Sequence, residues 1–154
     1  MCEFLGESGA RNWVCTFFRY LRTLVLDPID FSSDIELSFA FEMIWGLPEL
    51  QNLEITAALN GAVPPLAFSS STLNHVSMGQ LKLRSVVFKC CRGLENEICL
   101  IKKLLACSPF LKKIDICASS SLIIGGDNGK LMFAMELLKP HRASSVAEVN
   151  IYWN

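Results

Sequence analysis

The chain lacks paired metal-ligand spacings, a surplus of either charge and any long uninterrupted apolar run, and each absence removes a class of protein. Fourteen Lys and Arg against fifteen Asp and Glu leave a formal charge of −1. The basic excess through which phosphate-backbone binders gain affinity is missing, so nucleic acid is not an expected partner. The pairs Lys102-Lys103 and Lys112-Lys113 are short and read as solvated helix and turn positions. No stretch approaches the roughly 18 apolar residues of a spanning helix. The longest charge-free stretch, Ile55 to Leu81, is broken by Asn60-Gly61, Pro64-Pro65 and Ser69 to Ser71, and no membrane partner is expected.

Seven cysteines, Cys2, Cys15, Cys90, Cys91, Cys99, Cys107 and Cys117, form no Cys-x-x-Cys pair, and the two histidines, His75 and His141, lie far from any cysteine pair. An odd count without a framework argues against both a zinc site and a secreted disulfide scaffold. Most of the cysteines read as small apolar fillers in a reducing interior. Met1 to Glu7 carries no basic region ahead of an apolar stretch, so no secretory leader is expected, and the expected location is intracellular, cytoplasmic or nuclear.

Catalytic constellations are also missing. Gly125-Gly126-Asp127-Asn128-Gly129-Lys130 superficially resembles a phosphate-binding loop. The position five before Gly129 is Ile124, however, and Leu131 stands where a metal-binding hydroxyl is needed. A turn between strand and helix is the simpler reading. His75 falls in a polar loop and His141 follows Pro140, so neither is placed as a base for a Ser or Cys nucleophile. No catalytic, cofactor-binding or metal-binding residue is assigned, no cofactor is implied, and no enzymatic activity is expected.

What the chain has is apolar material. Its 154 residues fit one domain. Hydrophobic residues make up 51% and charged residues 19%, against a usual charged share of about 25%. Disorder is excluded. Much of this material falls into a recurring triad: apolar, two variable residues, apolar, one variable, apolar. The triad appears as Leu21-x-x-Leu24-x-Leu26, Leu50-x-x-Leu53-x-Ile55, Leu83-x-x-Val86-x-Phe88, Leu111-x-x-Ile114-x-Ile116 and Val146-x-x-Val149-x-Ile151. Successive copies start 28 to 35 residues apart, a little above the roughly 20 to 29 residues of leucine-rich repeats.

Helical patterns fill most of the gaps. Ser33-x-x-Glu36 predicts a capping box, followed by an inward face of Leu37, Ala40, Phe41, Ile44 and Trp45 and a stop at Gly46 and Pro48. Leu94, Ile98, Ile101, Leu104 and Leu105 predict a second helix that Ser108-Pro109 closes. Its Glu95 and Glu97 stand early and Lys102 and Lys103 late, as the helix dipole favours. Leu131, Met135 and Leu138 predict a third, shorter stripe ending at Pro140. Trp13 to Tyr20 is expected to be a partial helix with Trp13, Phe17 and Phe18 inward. Ala57 to Gln80 shows turn chemistry without a helical stripe, with Leu73-x-x-Val76-x-Met78 a further candidate strand. Such a loop is either a binding element or an insertion without a role.

From about Leu81 onward the chain resembles the FBD region of plant F-box/LRR-type proteins. The resemblance runs through Gln80-Leu-Lys-Leu-Arg-Ser-Val-Val-Phe88, Gly93-Leu-Glu-Asn-Glu-Ile98, Leu104-Leu-Ala-Cys-Ser-Pro-Phe-Leu111 with Lys113-Ile-Asp-Ile116, and Glu136-Leu-Leu-Lys-Pro-His-Arg-Ala-Ser-Ser-Val-Ala-Glu-Val149. Upstream, Leu21-Arg-Thr-Leu24 and Leu47-Pro-Glu-Leu-Gln-Asn-Leu-Glu-Ile55 resemble the repeats that precede that region. The family pattern begins with a helical F-box that docks to a Skp-type adaptor, and Met1 to Leu21 is too short to hold one. The resemblance therefore implies the substrate-recognition half of a ubiquitin-ligase receptor, without Skp-type adaptor binding. It also implies that Arg142 sits in a structural connection into the last strand, satisfying backbone carbonyls.

The organisation expected is an N-terminal segment over residues 1–20, degenerate leucine-rich repeats over 21–80 with a loop at 57–80, and an FBD-like continuation over 81–154. The expected fold is α/β, a short leucine-rich-repeat-like solenoid arc with parallel strands on the concave side and helices outside. The expected function is non-catalytic binding of a protein client. Recognition would use the positions flanking the core leucines: Arg22, Thr23 and Val25, Gln51, Asn52 and Glu54, Arg84, Ser85 and Val87, Lys112, Lys113 and Asp115. Of these, Arg22, Gln51, Glu54, Arg84, Lys112 and Asp115 are the candidate binding residues. The alternative is a truncated or structural repeat fragment with no ligase role, associating with copies of itself through its open end.

Overall fold

The recurring triads become neighbouring parallel strands. The computed structural model describes residues 18–58, 79–119, 126–139 and 141–154. They form strands β1 (Thr23–Ile29), β2 (Asn52–Ala57), β3 (Ser85–Cys91), β4 (Lys113–Ala118) and β5 (Glu148–Trp153). Between them run helices α1 (Asp34–Gly46), α2 (Glu95–Cys107) and α3 (Gly126–Leu138). The five strands make one parallel sheet in the order β1-β2-β3-β4-β5. The fold is α/β. Trp13, Phe17, the segment with His75 and Leu73-x-x-Val76-x-Met78, Pro140, Cys2 and Cys15 lie outside the described residues.

The register follows the triad. Leu24, Leu53, Val86, Ile114 and Val149 share one row across the sheet, and Leu26, Ile55, Phe88, Ile116 and Ile151 share the next. Because side chains alternate along a strand, both rows point to one face. There they join a single core with Leu37, Ala40, Phe41 and Ile44 of α1, Leu100, Ile101, Leu104 and Leu105 of α2, and Phe133 and Leu137 of α3. The helices thus cover one face of the sheet. The register slips between Leu26 and Ile29 and between Phe88 and Cys91. In the second of these irregularities Cys90 adopts a φ of 60°.

Backbone hydrogen bonds tie each strand to the next just before it starts. Arg22 O accepts from Gln51 N and Asn52 N, Gln51 O from Arg84 N and Ser85 N, Arg84 O from Lys112 N and Lys113 N, and Lys112 O from Glu148 N. Among the described residues no strand lies beyond β5 to donate to the carbonyl of Ala147, the residue before it. Arg142 Nη1 donates to that oxygen at 3.1 Å, so a side chain satisfies it.

The first triad position is buried at Leu50, Leu83 and Leu111, but the fifth copy departs. Val146 is 71% exposed, and Ser144 and Ala147 are buried instead. Ser144 Oγ donates to Leu111 O at 2.6 Å, which anchors the approach to β5 by a polar contact.

The helices depart from the sequence expectations in four places. At α1, Ser33 Oγ accepts from Glu36 N, but the Glu36 carboxylate reaches past the cap to accept from Asp30 N at 2.6 Å. At α2, Leu94 is the N-cap and is half-buried with Ile98, while Asn96 and Glu97 are buried. On α3, the expected inward stripe is reversed: Leu131, Met135 and Leu138 are exposed, and Phe133 and Leu137 face the core. A one-residue offset on a helix turns a stripe by about 100°, so apolar spacing alone left the inward face of this greasy segment undecided. The fourth departure is the glycine segment, whose residues Gly126 to Gly129 form the first turn of α3 instead of a turn ahead of it. Phe18, expected inward, is exposed.

Of the described cysteines only Cys91 is fully buried; Cys90, Cys99, Cys107 and Cys117 are half-buried, and all five are free thiols. Cys91 belongs to the core and Cys90 and Cys107 pack against it, so three of the five described cysteines act as apolar fillers. Cys99 and Cys107 lie on α2 beside its core-facing leucines, and Cys117 points to the face opposite the core.

Candidate functional site

The face of the sheet opposite the helices carries the residues that alternate with the core rows. One row is Thr23, Asn52, Ser85, Lys113 and Glu148; the next is Val25, Glu54, Val87, Asp115 and Asn150. Beyond them, Thr56 stands opposite Lys89, and Cys117 opposite Tyr152. Val25 and Tyr152 are exposed. This face is polar and charged with isolated apolar positions, which suits a surface that meets water or a partner better than a second core.

The sequence-expected residues divide into two sets. Glu54 and Asp115 stand in the same row, separated by Val87. Arg22, Gln51, Arg84 and Lys112 stand together immediately before the strands, held in line by the backbone bonds already described. Gln51 and Lys112 stand three positions ahead of Glu54 and Asp115, so the set of four lines the border of the sheet where the strands begin and the pair lies on its open face.

The charges of this face are partly paired. Lys89 Nζ lies 2.6 Å from Glu54 Oε1, and its hydrogen bond to Glu54 holds the ammonium above its ordinary value. Asp115 accepts from Asn150 Nδ2 at 2.9 Å and lies 3.4 Å from Lys113 Nζ. At the side of the sheet, Lys82 meets Glu49 at 2.7 Å, and that hydrogen bond holds the Glu49 carboxyl below its usual value. Because both members of the Lys89 and Lys82 pairs are solvent-exposed, they position side chains more than they stabilise the fold.

Asn150, Lys89 and Arg142 were not among the expected binding positions. Asn150 occupies in the fifth triad the place of Glu54 in the second, so the repeat alone identifies it. Lys89 lies just past its triad and reaches Glu54 diagonally, which triad spacing does not encode.

One buried carboxylate lies away from this face. Glu97 accepts from Arg92 N at 3.1 Å and from Leu94 N at 3.0 Å. Burial pushes its carboxyl up, opposed by the hydrogen bonds from Leu94, Arg92 and the Cys91 thiol. Those donors occupy its oxygens, so Glu97 fastens the turn between β3 and α2 and offers no free acid or base.

Among the described residues, no group of three or more His, Cys, Asp or Glu is arranged to hold a metal ion, and no helix is long and apolar enough to cross a membrane. Compared with protein-family models, with curated proteins and with solved structures, the chain matches none.

Proposed function

We propose that the chain is a non-catalytic protein-interaction module of leucine-rich-repeat type, a short solenoid arc whose concave side is the open sheet face. The observation that carries this reading is the register. Five successive strands align so that their variable positions form continuous rows on the face that no described helix covers. A row with one side chain from each strand can be varied without disturbing the core beneath, which is how repeat surfaces recognise partners. The further step, that the client is a substrate presented to an F-box-type ubiquitin ligase, is supported by the resemblance of residues 81–154 to the FBD region and by nothing in the geometry.

Photo-crosslinking tests the reading. A crosslinking residue placed at Val25, Val87 or Tyr152 is expected to capture the same client, and one placed at Glu42 or Lys103 on the helical side is not. Capture from the helical positions alone overturns it.

Self-association has one observation in its favour. Trp153 of β5 meets Phe133 of α3 edge-on, and Leu131, Met132, Met135 and Leu138 of that helix are all exposed. Light scattering of the purified chain separates the readings: a dimer that Met135→Gln dissolves supports association, and a monomer at micromolar concentration removes it.

A further inference from the structure

The line of residues just before the strands differs from the rows beside it in carrying no carboxylate. From β1 to β5 it reads Arg22, Gln51, Arg84, Lys112 and Ala147, and Arg142 brings its guanidinium to the carbonyl of Ala147. In a chain of net charge −1, three cations in one line with a fourth, Arg142, at its end are a local concentration that overall composition does not produce. The neighbouring row, by contrast, holds three uncharged polar residues and then Lys113 beside Glu148.

These cations are held in place and mostly unspent. The carbonyls of Arg22, Arg84 and Lys112 accept the backbone bonds that join successive strands, at 2.8 to 3.4 Å. Their Cα positions are therefore fixed by the sheet. Arg22, Arg84 and Lys112 have exposed side chains. The nearby Lys82 and Lys113 are engaged by Glu49 and Asp115, whereas no described acid forms an ion pair with Arg84 or Lys112. Glu49 acts on Arg22 through a weaker, longer-range attraction.

From this placement we infer that the line is a docking rail for an acidic segment of the protein client. The inference rests on the open face being a protein-binding surface and adds the chemistry of what binds along its border. Strands lie about 4.8 Å apart, so β1 to β5 spans about 19 Å, the length of about six residues of extended chain. An extended acidic peptide presents a carboxylate on one side every second residue, roughly 6.7 Å apart. Long Arg and Lys side chains accommodate that spacing against the strand repeat. Nucleic acid fits less well. The line has no aromatic side chain on which a base could stack.

Fluorescence anisotropy of a labelled twelve-residue peptide of alternating Glu and Ser, titrated with the full chain at low ionic strength, tests the rail. Saturable binding is expected, weakening as salt is raised because the contacts are solvent-screened. The variant R84E/K112E should weaken it by at least about tenfold and R84Q/K112Q by less. The charge-matched control K103E/K139E, on the helical side, should leave it within about twofold. Unchanged melting temperatures show that these surface variants remain folded. No saturable binding, an equal loss in the control, or equally tight binding of a single-stranded DNA of the same charge overturns the inference. Crosslinking separates this from the parent reading: capture of the client from Val87 that survives R84E/K112E keeps the sheet face and removes the rail.

Discussion

The centre of the molecule and its C-terminal end are built from the same triad yet packed differently. At the centre, Val86 and Phe88 of β3, Ile114 and Ile116 of β4, and Leu100, Ile101 and Leu104 of α2 have no exposed surface. At the end, Val149 and Ile151 of β5 are only half-buried, and α3 exposes four large apolar side chains while burying two. The difference is one of neighbours. A strand with a partner on each side has its inward residues enclosed, whereas the last strand has one flank without a described neighbour. The apolar excess of the sequence is therefore interior at the centre and partly surface at the end.

The largest expected effect tests this contrast directly. Ile116→Ala in β4 should cost about 2 to 5 kcal/mol, and the equivalent Ile151→Ala in β5 about 1 kcal/mol, because the cavity penalty needs an enclosed site. Urea unfolding of both variants checks the pair, and equal losses would break the comparison.

Next comes the fastening of the turn at the centre. Glu97→Ala leaves the partly buried N–H groups of Arg92 and Leu94 without their acceptor and should cost about 2 to 3 kcal/mol. Glu97→Gln keeps an acceptor and isolates the titration. Burial raises the Glu97 carboxyl above its unfolded value, so between the two values the folded chain holds the extra proton. Stability contributed by this group is thus highest at acid pH and falls as pH rises through that window. Glu49 and Glu136, held down by Lys82 and Lys102, act in the opposite sense, losing stability as pH falls. Denaturation across acid pH should therefore show Glu97→Gln gaining on the native chain as pH rises. A constant difference would show that Glu97 titrates as in the unfolded state.

A smaller effect is expected in the same turn. Gly93 has a φ of 79°, a region that costs an L-residue roughly 1 to 2 kcal/mol, so Gly93→Ala should lower the melting temperature. Smallest is the exposed stripe: Leu131→Gln should change stability by less than about 0.5 kcal/mol. A loss comparable with Ile116→Ala would show that the end of the molecule is as enclosed as its centre.

Much of the fold was legible in the residues. The triads named the inward strand positions, and four of the five aligned in full; the same offsets placed Glu54 and Asp115 in one row and Arg22, Gln51, Arg84 and Lys112 in another. Val146 failed because an apolar match in a chain half made of apolar residues carries little information, and Ser144 with its hydrogen bond to Leu111 O took over the anchoring. Dipole placement accounts for Glu97 as a residue of the first helical turn and says nothing of Asn96. Asn96 is buried because its Nδ2 donates to Phe31 O at 2.9 Å, a partner 65 residues away that no local pattern indicates. Likewise, the exposure of Leu131, Met135 and Leu138 was not readable from their spacing, since Phe133 and Leu137 offer an alternative face.

By itself the sequence determined which segments become strands, which face of each strand is apolar and, through constant triad offsets, how the strands align. It could do so because strand periodicity is local and the core rows repeat the same chemistry. Only the tertiary structure decided which α3 face turns inward, that Glu97 and Asn96 are buried, and that the carbonyl Arg142 satisfies is that of Ala147. Those outcomes depend on partners distant in the chain, or on whether a neighbour exists at all, and neither is encoded in spacing.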